Sequence, residues 1–152
     1  MRQTRLRPAV ADDLAAVKAL ADAERSALGF VLRPALAEAI ARGEMLVAEQ
    51  SGAVAGFVDY HQRRDRQVTL YHIVVAAERR GDGVGRALLQ ALRAAALTTG
   101  ATRIVLKCPV GLPANDFYRA CGYTLRVTEP GRGRALNVWA VDLAHDSGQV
   151  TP

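Results

Sequence analysis

The chain has 152 residues, half of them apolar and 23% charged, with a formal net charge of +5; that is enough for one domain with its own hydrophobic core. No apolar run reaches the roughly 18 residues of a membrane span, and the opening Met1-Arg2-Gln3-Thr4-Arg5 lacks the apolar centre of an export signal. Cys108 and Cys121 are the only cysteines, too few for a disulfide scaffold and in no metal-ligand pattern, so a reduced cytoplasmic setting and no metal are expected.

In chain order, residues 3–7 read as a first strand with Leu6 its main apolar member. Asp12 or Asp13 can cap a helix running to about Ala23, with Leu14, Val17, Leu20 and Ala21 at helical spacing. Pro34 suits the first residue of a second helix, through Ile40 to a stop near Gly43. Two strands follow, residues 45–49 and 54–61, joined by the hairpin signal Gln50-Ser51-Gly52. After the polar Arg63-Arg64-Asp65-Arg66, residues 68–75 form a near-continuous β-rich run, expected to be central and covered on both faces. A long helix begins at Val84, with Leu88, Ala91, Leu92 and Ala95 on the same face, and ends before Gly100. Residues 104–107 read as another buried strand, residues 114–120 as a short helix stopped by Gly122, and residues 123–127 and 135–142 as a closing strand pair around Pro130-Gly131-Arg132-Gly133. The predicted order is β-α-α-β-β-β-α-β-α-β-β, a mixed α/β domain over residues 1–144 with a frayed tail at 145–152.

Arg80-Gly81-Asp82-Gly83-Val84-Gly85 lies between the apolar run and the long helix. Strand, glycine loop and helix together turn several backbone N–H groups toward an anion at the positive end of a helix dipole. Two phosphate-binding patterns fail on the residues. A dinucleotide fold wants its glycines after the first strand and an acidic residue about 20 positions on, yet position 103 is arginine. A P-loop wants Gly-Lys-Ser/Thr, and the chain has Gly85-Arg86-Ala87.

The segment from Val75 to Gly85 resembles the acetyl-coenzyme A motif of the GCN5-related N-acetyltransferases, the GNAT superfamily. The motif is Gln/Arg-x-x-Gly-x-Gly/Ala, filled by Arg80, Gly83 and Gly85. Downstream, Asn115-Asp116-Phe117-Tyr118-Arg119-Ala120-Cys121-Gly122-Tyr123 is similar to the family's helix-to-strand segment, so the likeness covers essentially residues 3–143. It implies the GNAT acyltransferase fold, one mixed and mostly antiparallel central sheet flanked by about four helices. It also implies acetyl-coenzyme A as co-substrate and transfer of its acetyl group to a primary amine by direct attack.

The resemblance gives each part a role. Backbone N–H groups of Gly81, Asp82, Gly83, Val84, Gly85 and Arg86 would cradle the pyrophosphate, flanked by Arg80. Ile73, Val74 and Val75 would splay from the neighbouring strand and bond the pantetheine amides like an added strand, with a backbone N–H near Val75 holding the oxyanion. Tyr118 would donate to the departing thiolate, since a phenol with a pKa near 10 stays protonated at neutral pH. Asn115, one turn earlier on the same face, would reach the cofactor or cap its helix. Family members often carry an asparagine a turn earlier still, where this chain has Gly111.

The base is left open. Family members often use a glutamate on the fourth strand, and residues 68–75 hold no carboxylate. His72, Asp59, Glu49 and ordered water are the alternatives. Cys121 has no partner histidine in sequence and reads as inert packing; Cys108 reads as a small buried apolar group or a lining of the cofactor channel.

Two other functions remain: an acyl-coenzyme A sensor or partner module without catalysis, and a basic nucleic-acid-binding domain. Lys18 and Lys107 are the only lysines, and the arginines are scattered and not interleaved with aromatic residues, which makes nucleic acid the weaker option. The acceptor, small molecule, amino acid or peptide, has no decodable motif. Acyl groups other than acetyl and a homodimer are both left open.

Overall fold

Alternation of apolar and polar residues with period two, broken by stretches of period 3.6, sets the element order of this chain. A computed structural model describes residues 3–143; the expected tail at 145–152 lies outside them. Among the described residues seven strands form a sheet in the order β1-β2-β3-β4-β5-β7-β6, mostly antiparallel, with five α-helices. The described residues divide into two compact units, the first up to His61 plus Leu70–Leu92, the second Gln62–Thr69 plus everything from Arg93 on.

In the first unit, β1 (Thr4–Pro8) pairs antiparallel with β2 (Met45–Gln50), Leu6 opposite Ala48. β2 pairs with β3 (Ala53–Gln62) through a turn at Ser51 and Gly52, both at positive φ, as a two-residue hairpin requires. The register shifts between Ala48 and Glu49, leaving Ala55 as the extra residue on β3, a β-bulge. α1 (Leu14–Ala23) follows a turn of 3-10 helix at Ala11–Asp13. Asp13 accepts the Val10 N–H at 2.7 Å and both Nη groups of Arg7 at 2.8 and 3.0 Å, satisfying a donor that would otherwise lack a partner at the helix start. α3 (Arg33–Ala41) begins one residue before the expected Pro34, which is its second residue. Val17 and Ala21 of α1 and Leu36 of α3 pack on Met45, Val47, Phe57 and Val74 of the strands. On Gly56 a Cβ would meet the Val74 carbonyl oxygen at 2.7 Å and the side chains of Val84 and Leu88 at 3.2 Å, so only glycine lets α4 (Val84–Thr98) lie this close to β3.

β4 (Gln67–Val75) departs from expectation. Val68, Leu70 and Val74 are buried, but Tyr71 is 56% exposed and Ile73 and Val75 are half-buried. The strand is fourth in the order of seven, yet one of its faces is not sealed by protein. Continuous β-branched sequence alone does not distinguish a strand covered on both faces from one left partly open.

In the second unit, Gln67, Val68 and Thr69 pair in parallel with Arg103, Ile104 and Val105 of β5 (Arg103–Pro109). β5 pairs antiparallel with β7 (Leu136–Asp142) over seven residues, and β7 with the edge strand β6 (Thr124–Glu129). α5 (Ala114–Ala120) ends at Cys121 and Gly122, the latter at φ +94°. Two short pieces escaped the sequence reading. α2 (Arg25–Leu28) buries no residue, and the 3-10 turn Ala77–Arg79 is too short to show a period. Among the described residues no helix is long and apolar enough to cross a membrane.

Candidate functional site

In the first unit β4 runs out at Val75, and the Ala76 N–H bonds Ala55 O on β3 at 2.8 Å. Ala77–Arg79 turns the chain, and Gly81, Asp82 and Gly83 lie exposed. Gly81 and Gly83 sit at φ +89° and +81° with open space where a Cβ would stand, a backbone shape that other residues adopt only with strain. α4 begins at Val84, and its first turn closes with the Ala87 N–H on Gly83 O at 3.0 Å. Helix geometry therefore leaves the N–H groups of Gly83, Val84, Gly85 and Arg86 without helical acceptors. Gly85, the second residue of α4, keeps side-chain bulk off that end. The arrangement is an exposed, positively polarised backbone surface of the kind that attracts an anion.

Arg80 flanks this loop, as expected. Its Nε donates to Val75 O at 3.3 Å, and its Nη2 pairs with Glu24, at the C-terminal end of α1, at 2.7 Å. Glu24 had no signal in the sequence; it follows α1 by one residue, and its reach to Arg80 is purely tertiary. The pair is half-exposed, so a polyphosphate can displace it at little cost.

Three candidate base residues belong to this unit, and the structure separates them. His72 Nδ1 lies 2.9 Å from Asp59 Oδ1, with Asp59 buried on β3. Glu49 instead accepts from Arg7 at 3.3 Å and lies 3.8 Å from Arg5, bound into the Arg7–Asp13 ion pair. Arg7 holds the Asp13 carboxyl below the usual carboxylate range.

In the second unit, Tyr118 is buried on α5, its ring tilted against Phe117 at 5.6 Å and Tyr123 at 6.0 Å. Burial, with smaller contributions from Cys108, Tyr123 and Cys121, pushes its phenol well above the ordinary value near 10. The hydroxyl is thus a donor throughout the neutral range. Asn115, on the same helix, has every polar position filled by protein. Its Nδ2 donates to Pro109 O and Leu112 O, both at 2.9 Å, and its Oδ1 accepts from Trp139 Nε1 at 2.8 Å and Asn137 Nδ2 at 3.1 Å. Its amide ties the start of α5 to β5 and β7, which accounts for its burial and leaves no side-chain donor for a ligand. The signal for this lay in Asn137 and Trp139, alternate residues on one strand face whose N–H groups need an acceptor when buried.

Cys108 is buried, and burial raises its thiol pKa, which keeps it an unreactive thiol. Cys121 is half-buried beside Gly122. Among the described residues no group of three or more His, Cys, Asp or Glu side chains could hold a metal ion.

Residues 15–123 match the sequence model of the acetyltransferase (GNAT) family. No curated protein matches in sequence. Solved structures do. An Ard1 protein from Thermoplasma volcanium aligns with a TM-score of 0.84 at 16% identity over 93% of this chain and 99% of its own. The yncA protein of Salmonella typhimurium, solved with its cofactor acetyl-CoA, aligns with a TM-score of 0.80 at 21% identity, covering 94% and 95%. A ribosomal-protein-alanine N-acetyltransferase from Brucella melitensis aligns with a TM-score of 0.78 at 25% identity, covering 91% and 99%. With the family model spanning more than two thirds of the sequence, and a glycine loop and α5 segment formed as described, the chain belongs to the GNAT family of acetyltransferases.

Proposed function

We propose that the protein is an N-acetyltransferase that moves the acetyl group of acetyl-coenzyme A to a primary amine of a small molecule, amino acid or peptide. The observation that carries this reading is the exposed Gly81–Gly83 loop opening onto the N-terminus of α4, where backbone donors without helical acceptors fit a pyrophosphate. Gly81, Asp82, Gly83, Val84, Gly85 and Arg86 bind it through the backbone, and Arg80 exchanges Glu24 for a phosphate oxygen. Residues 73–75 supply backbone groups to the pantetheine arm, the partly open face of β4 being consistent with a ligand covering it. A backbone N–H near Val75 polarises the thioester carbonyl and stabilises the oxyanion as the amine attacks. Tyr118 donates a hydrogen bond to the sulfur as the carbon–sulfur bond breaks. Because its phenol is a weaker acid than usual, it stabilises the thiolate chiefly as a hydrogen-bond donor and does not hold the negative charge itself.

Thiol release from acetyl-coenzyme A over an amine panel tests the reading. The panel holds a peptide beginning in alanine, an N-terminally blocked peptide containing lysine, free amino acids and a polyamine. The first is included because one similar structure is a ribosomal-protein-alanine N-acetyltransferase. Amine-dependent thiol release is expected. Binding of acetyl-coenzyme A with no thiol release from any amine would point to a sensor module instead. Tyr118→Phe is expected to lower kcat about a hundredfold to a thousandfold, as loss of one donor to a developing charge does, while the acetyl-coenzyme A Kd changes less than twofold; an unchanged kcat removes Tyr118 from this role.

A further inference from the structure

His72 and Asp59 face each other on adjacent strands of the first unit, β4 and β3. Asp59 shares a strand face with Phe57, and His72 with Val74, and both of those side chains belong to the core under α1 and α3. Asp59 is buried, its side chain 8% exposed, while the His72 side chain is 26% exposed. A carboxylate buried on an apolar face needs a donor, and His72 Nδ1 supplies it at 2.9 Å. An ionised carboxylate only accepts, so the proton of a neutral His72 sits on Nδ1 and Nε2 carries the lone pair. Among the described residues Nε2 has no hydrogen-bond partner. A second histidine–carboxylate pair on the same face of β3, His61 with Glu44 at 3.2 Å, is more exposed. It also lies two residues farther along β3 from the end that meets the glycine loop.

Resting on the acetyltransferase reading above, we propose that His72 is the general base for the acceptor amine and that Asp59 is the positioning residue that fixes its tautomer. His72 immediately precedes residues 73–75, the segment assigned to the thioester arm, and its side chain lies on the face opposite Ile73 and Val75, so the base acts from the α1 and α3 side of β4 while the backbone of 73–75 holds the arm. When the amine nitrogen bonds to the carbonyl carbon it carries one proton too many. That proton passes to His72 Nε2, giving an imidazolium whose Nδ1–H stays on the Asp59 carboxylate. Collapse of the tetrahedral intermediate breaks the carbon–sulfur bond, the thiolate takes up a proton, and the imidazolium releases its own to solvent. One proton leaves nitrogen and one arrives on sulfur, with no oxidant or metal needed. Among the side chains read as alternatives, Glu49 is engaged by two arginines and Asp59 by the imidazole, whereas His72 Nε2 keeps an open lone pair.

Two measurements test this. Two-dimensional nitrogen NMR of the wild type is expected to show His72 as the Nδ1–H tautomer, and Asp59→Asn to lose that preference, since an amide offers Nδ1 both a donor and an acceptor. An Nε2–H tautomer in the wild type would overturn the proposal whatever the activity. In the thiol-release assay, using the panel amine that turns over fastest, His72→Ala is expected to lower kcat at least about a hundredfold, the usual contribution of a general base, with the acetyl-coenzyme A Kd retained. Added imidazole should restore part of that kcat, which a merely structural histidine would not allow. His72→Gln, closer in shape, serves if the alanine variant folds poorly, and should be equally slow. Turnover in either folded variant equal to wild type would overturn the assignment. A wild type that binds acetyl-coenzyme A but acetylates no amine would fail the activity reading first, with the tautomer result standing separately.

Discussion

Two glycines of one loop do different jobs at the residue scale. Gly83 sits at φ +81°, where any side chain is strained, so a substitution there disturbs both backbone and ligand. Gly85 is helical, the second residue of α4, where alanine is favoured over glycine by up to about 1 kcal/mol. Gly85→Ala should therefore leave thermal stability unchanged or raise it, and Gly85→Val should weaken acetyl-coenzyme A binding at least tenfold by calorimetry without unfolding the protein. Undiminished affinity in a folded Gly85→Val protein would show that the pyrophosphate does not approach this helix end. The loop itself was legible in the sequence, because glycine at fixed spacing between a strand and a helix reports backbone shape directly. The Asn115 amide was not. Its four partners come from β5, the loop after it and β7, and nothing local announces such a network.

Helix starts and strand ends carry the next level. Asp13 closes the start of the α1 region and pairs with Arg7 on β1, linking a helix to a strand through one carboxylate. Its folded pKa is depressed, first by the hydrogen bonds from Arg7. A carboxylate so held stabilises the fold above its unfolded pKa, near 3.9, and loses that contribution as pH falls through the lower folded value. Asp13→Asn should cost about 1–3 kcal/mol at neutral pH, the range for a charged hydrogen bond. The gap between wild-type and variant melting temperatures should close as pH is lowered below about 4. A gap independent of pH would assign the loss to packing and not to charge. Element order and most boundaries were readable because period and caps are local signals: Pro34 lies in the first turn of α3, Gly100 follows α4, and the Ser51-Gly52 turn sits where its residues demand. α2 was invisible for the opposite reason, since four residues that bury nothing leave no apolar period. The open face of β4 was misread because burial of a β-branched strand depends on what packs over it.

Family membership sets the scale of the whole molecule, and it names the donor more firmly than the acceptor. The proposed donor recognition rests on backbone geometry that sequence encodes in glycines, whereas recognition of the proposed acceptor would fall to side chains with no shared pattern to read. The net charge of +5 fits attraction of a polyphosphate ligand, and steering of that kind weakens with salt. Titration calorimetry of the full chain with acetyl-coenzyme A tests the central claim most directly. The account predicts one site per chain with a micromolar Kd, weakened at least tenfold in Gly85→Val. Absence of binding heat, supported by no rise in melting temperature at millimolar ligand, would contradict it.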